Sequence, residues 1–183
     1  MKFLQFLNRF STFDLVLIAL MAALGIAIKP IVVPIAHIIT GPLFIPGGVI
    51  AGGFYMLWIV LGAAIVGKLG TATLIAFIQA MMVLAGGIFG THGAVSLMTY
   101  LAPGLAIDLL FLLTRHRGCC NMCCFFAGIV ANITGSFLVN IVFFRLPLVP
   151  LMLSLSCAAI SGGLGGIIAH TIYARFAHFK VFN

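Results

Sequence analysis

Three polar side chains stand four residues apart in a largely apolar stretch: Asn132, Ser136 and Asn140. That spacing places them on one face of a helix, and Arg145 follows just beyond. Amides removed from water must find partners. Two readings stand side by side: hydrogen bonds between helices, or a polar wall that meets a ligand's donors and acceptors. Other polar residues fall at what would be the same depth: His37 and Thr40, then Thr91, His92, Ser96 and Tyr100, then Ser154 and Ser156. Groups gathered from separate segments at one depth are what a small-molecule pocket requires. The candidate binding residues are Asn132, Ser136, Asn140, Arg145, His92, Tyr100, His37 and Ser154.

Two further constellations invite chemistry. Asp108 is the one acid in the interior of an apolar run, Asp14 standing at the very start of the first, and an intramembrane carboxylate is a functional candidate by default. Arg115, Lys68 or His170 could pair with it, so a structural ion pair and a proton-carrying site are both open. Cys119, Cys120, Cys123 and Cys124 follow His116. Their spacing resembles half of a zinc site, yet all four sit on about one turn, so they read as plain interfacial thiols, with lipidation or metal as alternatives. We assign no metal ligand and no cofactor. GxSxG, HExxH and Walker A patterns are missing from the sequence, which argues against a hydrolase, a metalloprotease or a nucleotide-driven motor within this chain. An enzyme is not expected.

The elements that must position these residues follow from composition. Of 183 residues, 64% are hydrophobic and 6% charged, against roughly 25% charged in soluble domains. Such a chain belongs in lipid, where only helices and closed barrels satisfy the backbone. The apolar runs are long and do not alternate, so the expected fold is all-α: a bundle of six transmembrane helices forming one domain over residues 1–183. The runs are Phe13–Ile28, Gly47–Val66, Thr71–Ala85, Val95–Leu113, Cys123–Phe144 and Leu151–Phe176. Ser11 and Asp14 have capping-box spacing at the start of the first. Lys29 and the prolines at 30, 34, 42 and 46 predict a long loop after it, lying against the protein or bilayer surface because Ile31–Thr40 is still apolar.

The net charge of +7 does not point to nucleic acid, since the basic residues form no run or face. Placing the N-terminus inside puts Lys2, Arg9, Lys68, Arg115, Arg117, Arg175 and Lys180 in the cytoplasm and leaves Lys29 and Arg145 outside, as the positive-inside rule asks. The expected location is the cell membrane with both termini cytoplasmic and the first helix retained. Small residues recur at helical spacing: Ala19, Ala23 and Ala27; Gly48 and Gly52; Ser154, Ala158, Gly162 and Gly166. Such stripes let helices approach closely, either within the chain or against a partner.

Six short helices, cytoplasmic termini and Ala19-x-x-x-Ala23 resemble the substrate-binding S components of energy-coupling-factor (ECF) vitamin transporters, a class of ABC importer. The stretch from Gly53-Phe-Tyr-Met-Leu-Trp58 to Gly67-Lys68-Leu-Gly70-Thr71, then Gly90-Thr-His-Gly93 and Pro103-Gly-Leu-Ala-Ile-Asp108, is similar to the branch that includes the thiamin-precursor carrier YkoE. The resemblance implies capture of a vitamin or precursor, thiamin- or hydroxymethylpyrimidine-like or another water-soluble vitamin, at the outer face. Docking through Ala19, Ala23 and Ala27 on a membrane coupling subunit driven by two cytosolic ATPases then releases it inside. The outer half holds Tyr55 and Trp58 but no acid, and Arg145 favours a neutral or anionic ligand. The competing expectations are an autonomous proton-coupled carrier using Asp108 and a membrane enzyme built on His116 and the cysteines.

Overall fold

The computed structural model describes residues 8–43, 45–86 and 95–178. Its helices are α1 Thr12–Ala27, α2 Lys29–Thr40, α3 Gly47–Val66, α4 Thr71–Gly86, α5 Val95–Thr114, α6 Asn121–Val139 and α7 Leu148–His178. A 3-10 turn, Gly41–Leu43, follows α2, and a π-helical turn, Asn140–Phe144, extends α6. Five stretches are long and apolar enough to cross a bilayer: Thr12–Thr40, Gly47–Val66, Leu97–Thr114, Asn121–Phe144 and Leu148–Ala177. The shorter α4 completes an all-helical membrane bundle.

Helix α1 begins with the expected capping box. The Ser11 N–H donates to Asp14 Oδ2 at 2.7 Å, and the Asp14 N–H donates to Ser11 Oγ at 3.2 Å. The same carboxylate accepts the Lys68 ammonium from the turn between α3 and α4. Helix α3 stops at Gly67, whose φ of 63° suits the left-handed position that closes a helix.

Asp108 does not pair with Arg115, Lys68 or His170. From α5 it caps a neighbouring helix: Oδ1 accepts the Gly70 N–H at 3.1 Å, and Oδ2 accepts the Thr73 N–H at 2.8 Å and the Thr73 hydroxyl at 2.6 Å. The first turn of α4 exposes unpaired N–H donors and the positive end of its dipole, and a carboxylate beside it is satisfied without a base.

The segment after Lys29 is the main departure from expectation. It is a helix, not a loop. Pro30 lies in the first turn, where a missing N–H costs nothing. Pro34 is inside the helix, but an apolar segment shielded from water must still satisfy its own backbone, and a helix does so. Ile31, Ile35, Ile38 and Ile39 point outward, with Ile38 79% exposed. Lys29, Val33 and His37, four residues apart, face inward onto a cavity. The Thr40 hydroxyl donates to Ala36 O and Ile45 O at 3.0 and 2.8 Å, pinning the end of α2 to the entry of α3.

Helix α3 is the axis of the bundle and packs against α1, α2, α4, α6 and α7. Close approach to α7 depends on Gly53, whose N–H donates to Ser161 Oγ at 2.9 Å. A Cβ there would strike the Ser161 backbone. On the other side of α7, Gly162 and Gly166 meet the backbone of Gly128 and Cys124 on α6 with no room for a side chain. Of the stripe Ser154, Ala158, Gly162, Gly166, the last three therefore belong to an internal packing surface. Ala19 and Ala27 instead lie exposed on α1, with Ala23 half-buried between them. The core-facing side of that helix is Ile18, Met21, Ala22 and Gly25.

Candidate functional site

A cavity of about 370 Å³ opens between α2, α3, α4, α5, α6 and the start of α7. This is within the size range of small-molecule sites. Its walls are mostly apolar, with Val33, Val49, Met56, Ile59, Pro103, Val139 and Phe144 among them. A few polar groups converge on it.

Lys29 supplies the charge. Its ammonium lies 4.2 Å from the centre of the Tyr55 ring and 3.8 Å from that of Tyr100, where the negative ring faces stabilise a cation withdrawn from water. The Tyr55 hydroxyl donates to Gly48 O at 2.7 Å and so fixes one side of the clamp. Among the described residues the ion pair found is Lys68 with Asp14, so no carboxylate neutralises Lys29. Gln79 and Ser154, 2% and 3% exposed, also line the cavity. Gln79 Nε2 and Ser154 Oγ have no hydrogen-bond partner among the described residues. Buried polar atoms are nearly always paired; these two are closed off from the cavity space itself, and Gln79 Nε2 packs against Gly25 of α1. Trp58 Nε1 and Asn132 Oδ1 are also unpaired, but neither residue lines the cavity.

The π-helical turn shapes one wall. Its wider winding brings Val139, Asn140 and Phe144 to the cavity together, a use to which such turns are often put. It closes with the Arg145 N–H on Asn140 O at 2.7 Å and the Leu146 N–H on Asn140 Oδ1 at 3.0 Å. On the opposite wall Gly47 lets α2 lie directly on α3, since a Cβ would sit 2.6 Å from His37 N.

Of the residues singled out from the sequence, His37, Tyr100, Ser136, Asn140 and Ser154 line this cavity. Asn132 does not. It is fully buried and donates from Nδ2 to Val49 O at 3.0 Å and Ala158 O at 2.9 Å, clamping α3 and α7 to α6. Arg145 is exposed with a φ of 47°, ending the π turn. His92 lies outside the described residues, as do Thr91 and the side chain of Ser96.

Sequence reasoning missed Lys29, Gln79 and Thr99 as cavity residues and named Tyr55 only in passing. Gln79 carried a usable signal, being an amide in the middle of the apolar α4. Lys29 was hidden by the prolines around it, which made its helix look like a loop.

The family described as "ABC-type cobalt transport system, permease component" matches residues 13–134. A solved structure described as the crystal structure of an S-component of ECF transporter superposes with a TM-score of 0.78. The superposition covers 95% of this chain and 89% of that one, at 19% sequence identity, a likeness of fold. Comparison with curated proteins gives no match.

Proposed function

The chain belongs to the family of ABC-type cobalt transport system permease components, and from that premise we propose that it is the membrane substrate-binding subunit of an ECF-type importer. It captures one vitamin or vitamin precursor in the α2-covered cavity. It delivers that molecule by docking on a coupling subunit driven by two ATPases. The carrying observation is the convergence of the Lys29 ammonium, clamped by Tyr55 and Tyr100, with the polar residues Gln79, Asn140 and Ser154 on one cavity of vitamin size. Lys29 disfavours a cation such as thiamin itself. It suits a neutral heteroaromatic ring held against Tyr55 and Tyr100, or a ligand bearing a carboxylate. Ser136, Asn140 and His37 complete the polar lining.

In this reading the cavity end faces outward. The turns carrying Lys68, Arg115 and Arg117 face the cytoplasm, in keeping with the positive-inside rule. The Ala19, Ala23 and Ala27 face of α1, exposed at Ala19 and Ala27 and half-buried at Ala23, meets the coupling subunit, small side chains allowing close helix contact. The proton-carrier alternative draws no support from Asp108, whose two oxygens are engaged in capping α4.

The test is thermal stabilisation of the purified chain in detergent against a panel of water-soluble vitamins and precursors, since a ligand of the folded state raises apparent stability with concentration. One compound, or one close chemical group, is expected to give a concentration-dependent shift that Lys29→Met reduces. A flat response across the panel would count against the reading.

A further inference from the structure

At the other end of α5 the chain builds a second constellation that the cavity does not use. From Tyr100 to Thr114 the helix runs about 20 Å at 1.5 Å per residue, and beyond it lie His116, Cys119 and Cys123. His116 Nδ1 is 3.2 Å from Cys119 Sγ, and Cys119 Sγ is 3.9 Å from Cys123 Sγ. All three donor atoms lie within 4.8 Å of one another. Around a tetrahedral zinc, with bonds of about 2.3 Å to sulfur and about 2.0–2.1 Å to nitrogen, neighbouring donor atoms are about 3.5–3.8 Å apart. Two of the edges are close to that spacing before any ion is bound.

The turn that presents them is held in place. Arg115 and Gly118 adopt left-handed backbone, φ 58° and 72°, which folds the loop back on itself. Gly118 is pressed against α3, where a Cβ would meet the Ala64 Cβ at 2.8 Å. Arg117 donates to Gly67 O at 3.3 Å, and the Cys123 N–H donates to Cys120 Sγ at 3.3 Å, setting the first turn of α6. His116 and Cys119 are exposed and Cys123 is half-buried, so an ion can reach them.

We propose that His116, Cys119 and Cys123 form a binding site for a thiophilic divalent cation, Zn²⁺ by geometry and donor set, that clamps the α5–α6 turn. On binding, Cys119 and Cys123 each release a proton and the neutral His116 imidazole gives its Nδ1 lone pair. Two thiolates then balance the charge of the ion. The fourth position falls to water or to Cys120 on the same turn. The site is separate from the cavity, so its failure leaves the transport reading untouched, and the reverse also holds.

The test uses the full-length chain purified in detergent, washed with chelator, kept under a phosphine reductant and titrated with Zn²⁺ in competition with a chromophoric chelator. One equivalent per chain is expected for the wild type and for Cys157→Ser, whose thiol lies on α7. That equivalent is lost in Cys119→Ser/Cys123→Ser. Co²⁺ in place of Zn²⁺ should give thiolate-to-metal charge-transfer absorption that the double variant lacks. As a check independent of any variant's folding, Zn²⁺ should slow alkylation of Cys119 in the wild type while leaving Cys157 unchanged. Equal Zn²⁺ binding by wild type and double variant, or no protection of Cys119, overturns the proposal.

Discussion

In the proposed reading, Lys29 is the residue on which ligand recognition turns. An ammonium held between two tyrosine faces with no carboxylate partner keeps its capacity to meet a ligand's acceptor. A hydrogen bond to a charged group is worth about 1.5–3 kcal/mol, so Lys29→Met is expected to weaken binding by about 10- to 100-fold in equilibrium titration while leaving the fold intact. Gln79 predicts a change of opposite signs. Its Nε2 is buried and unpaired, and leaving such a group unsatisfied costs about 1–3 kcal/mol. Gln79→Leu should therefore raise the melting temperature of the ligand-free protein and lower its affinity for the ligand. Loss of both stability and affinity would show that Gln79 has a structural role instead. Asn132 behaves differently again. Its two donated hydrogen bonds join α3, α6 and α7, so Asn132→Ala should destabilise the protein by about 2 kcal/mol with little change in the affinity of the molecules that remain folded. The sequence could place Asn132, Ser136 and Asn140 on one face, but it could not say which of them an adjoining helix would occupy. Gly52 decides that for Asn132, because the amide fills the space its missing side chain leaves on α3.

At the scale of the element, α2 and α1 carry the two halves of the account. Helix α2 covers the cavity with Lys29, Val33 and His37 and turns its isoleucines outward. Its seat on α3 requires Gly47. Gly47→Leu would push against the His37 backbone, lift α2 and weaken ligand binding, read as faster ligand dissociation. The alanine stripe of α1 makes the complementary prediction. Ala23→Trp should abolish uptake in cells that supply the coupling subunit yet bind ligand as the wild type does, and unchanged uptake would remove α1 as the docking face. The limits of α3 and α4 were readable from apolar runs ending in Gly67 and beginning at Thr71. The helical state of α2 was not readable, because proline rules describe chains in water, whereas lipid penalises an open backbone more than one missing hydrogen bond. The role of Asp108 was also hidden, since a cap supplied by one helix to the end of another leaves no local pattern.

For the whole molecule, the bundle separates three features in space. The cavity lies at one end, small side chains run along α1, and the Lys68–Asp14 pair, Arg117 and the thiol cluster gather at the other end. The composition alone announced a membrane bundle, and the resemblance to S components anticipated the fold. The position of the cavity under α2 emerged only from the packing. In the proposed reading this chain binds its solute but depends on partners to move it. Uptake of the stabilising compound into proteoliposomes tests that most directly, comparing the chain alone with the chain plus coupling subunit, ATPases and ATP. The account predicts no accumulation by the chain alone, even under an imposed proton gradient, and ATP-dependent accumulation with the full set. Accumulation by the chain alone that follows the proton gradient and disappears in Asp108→Asn would contradict it.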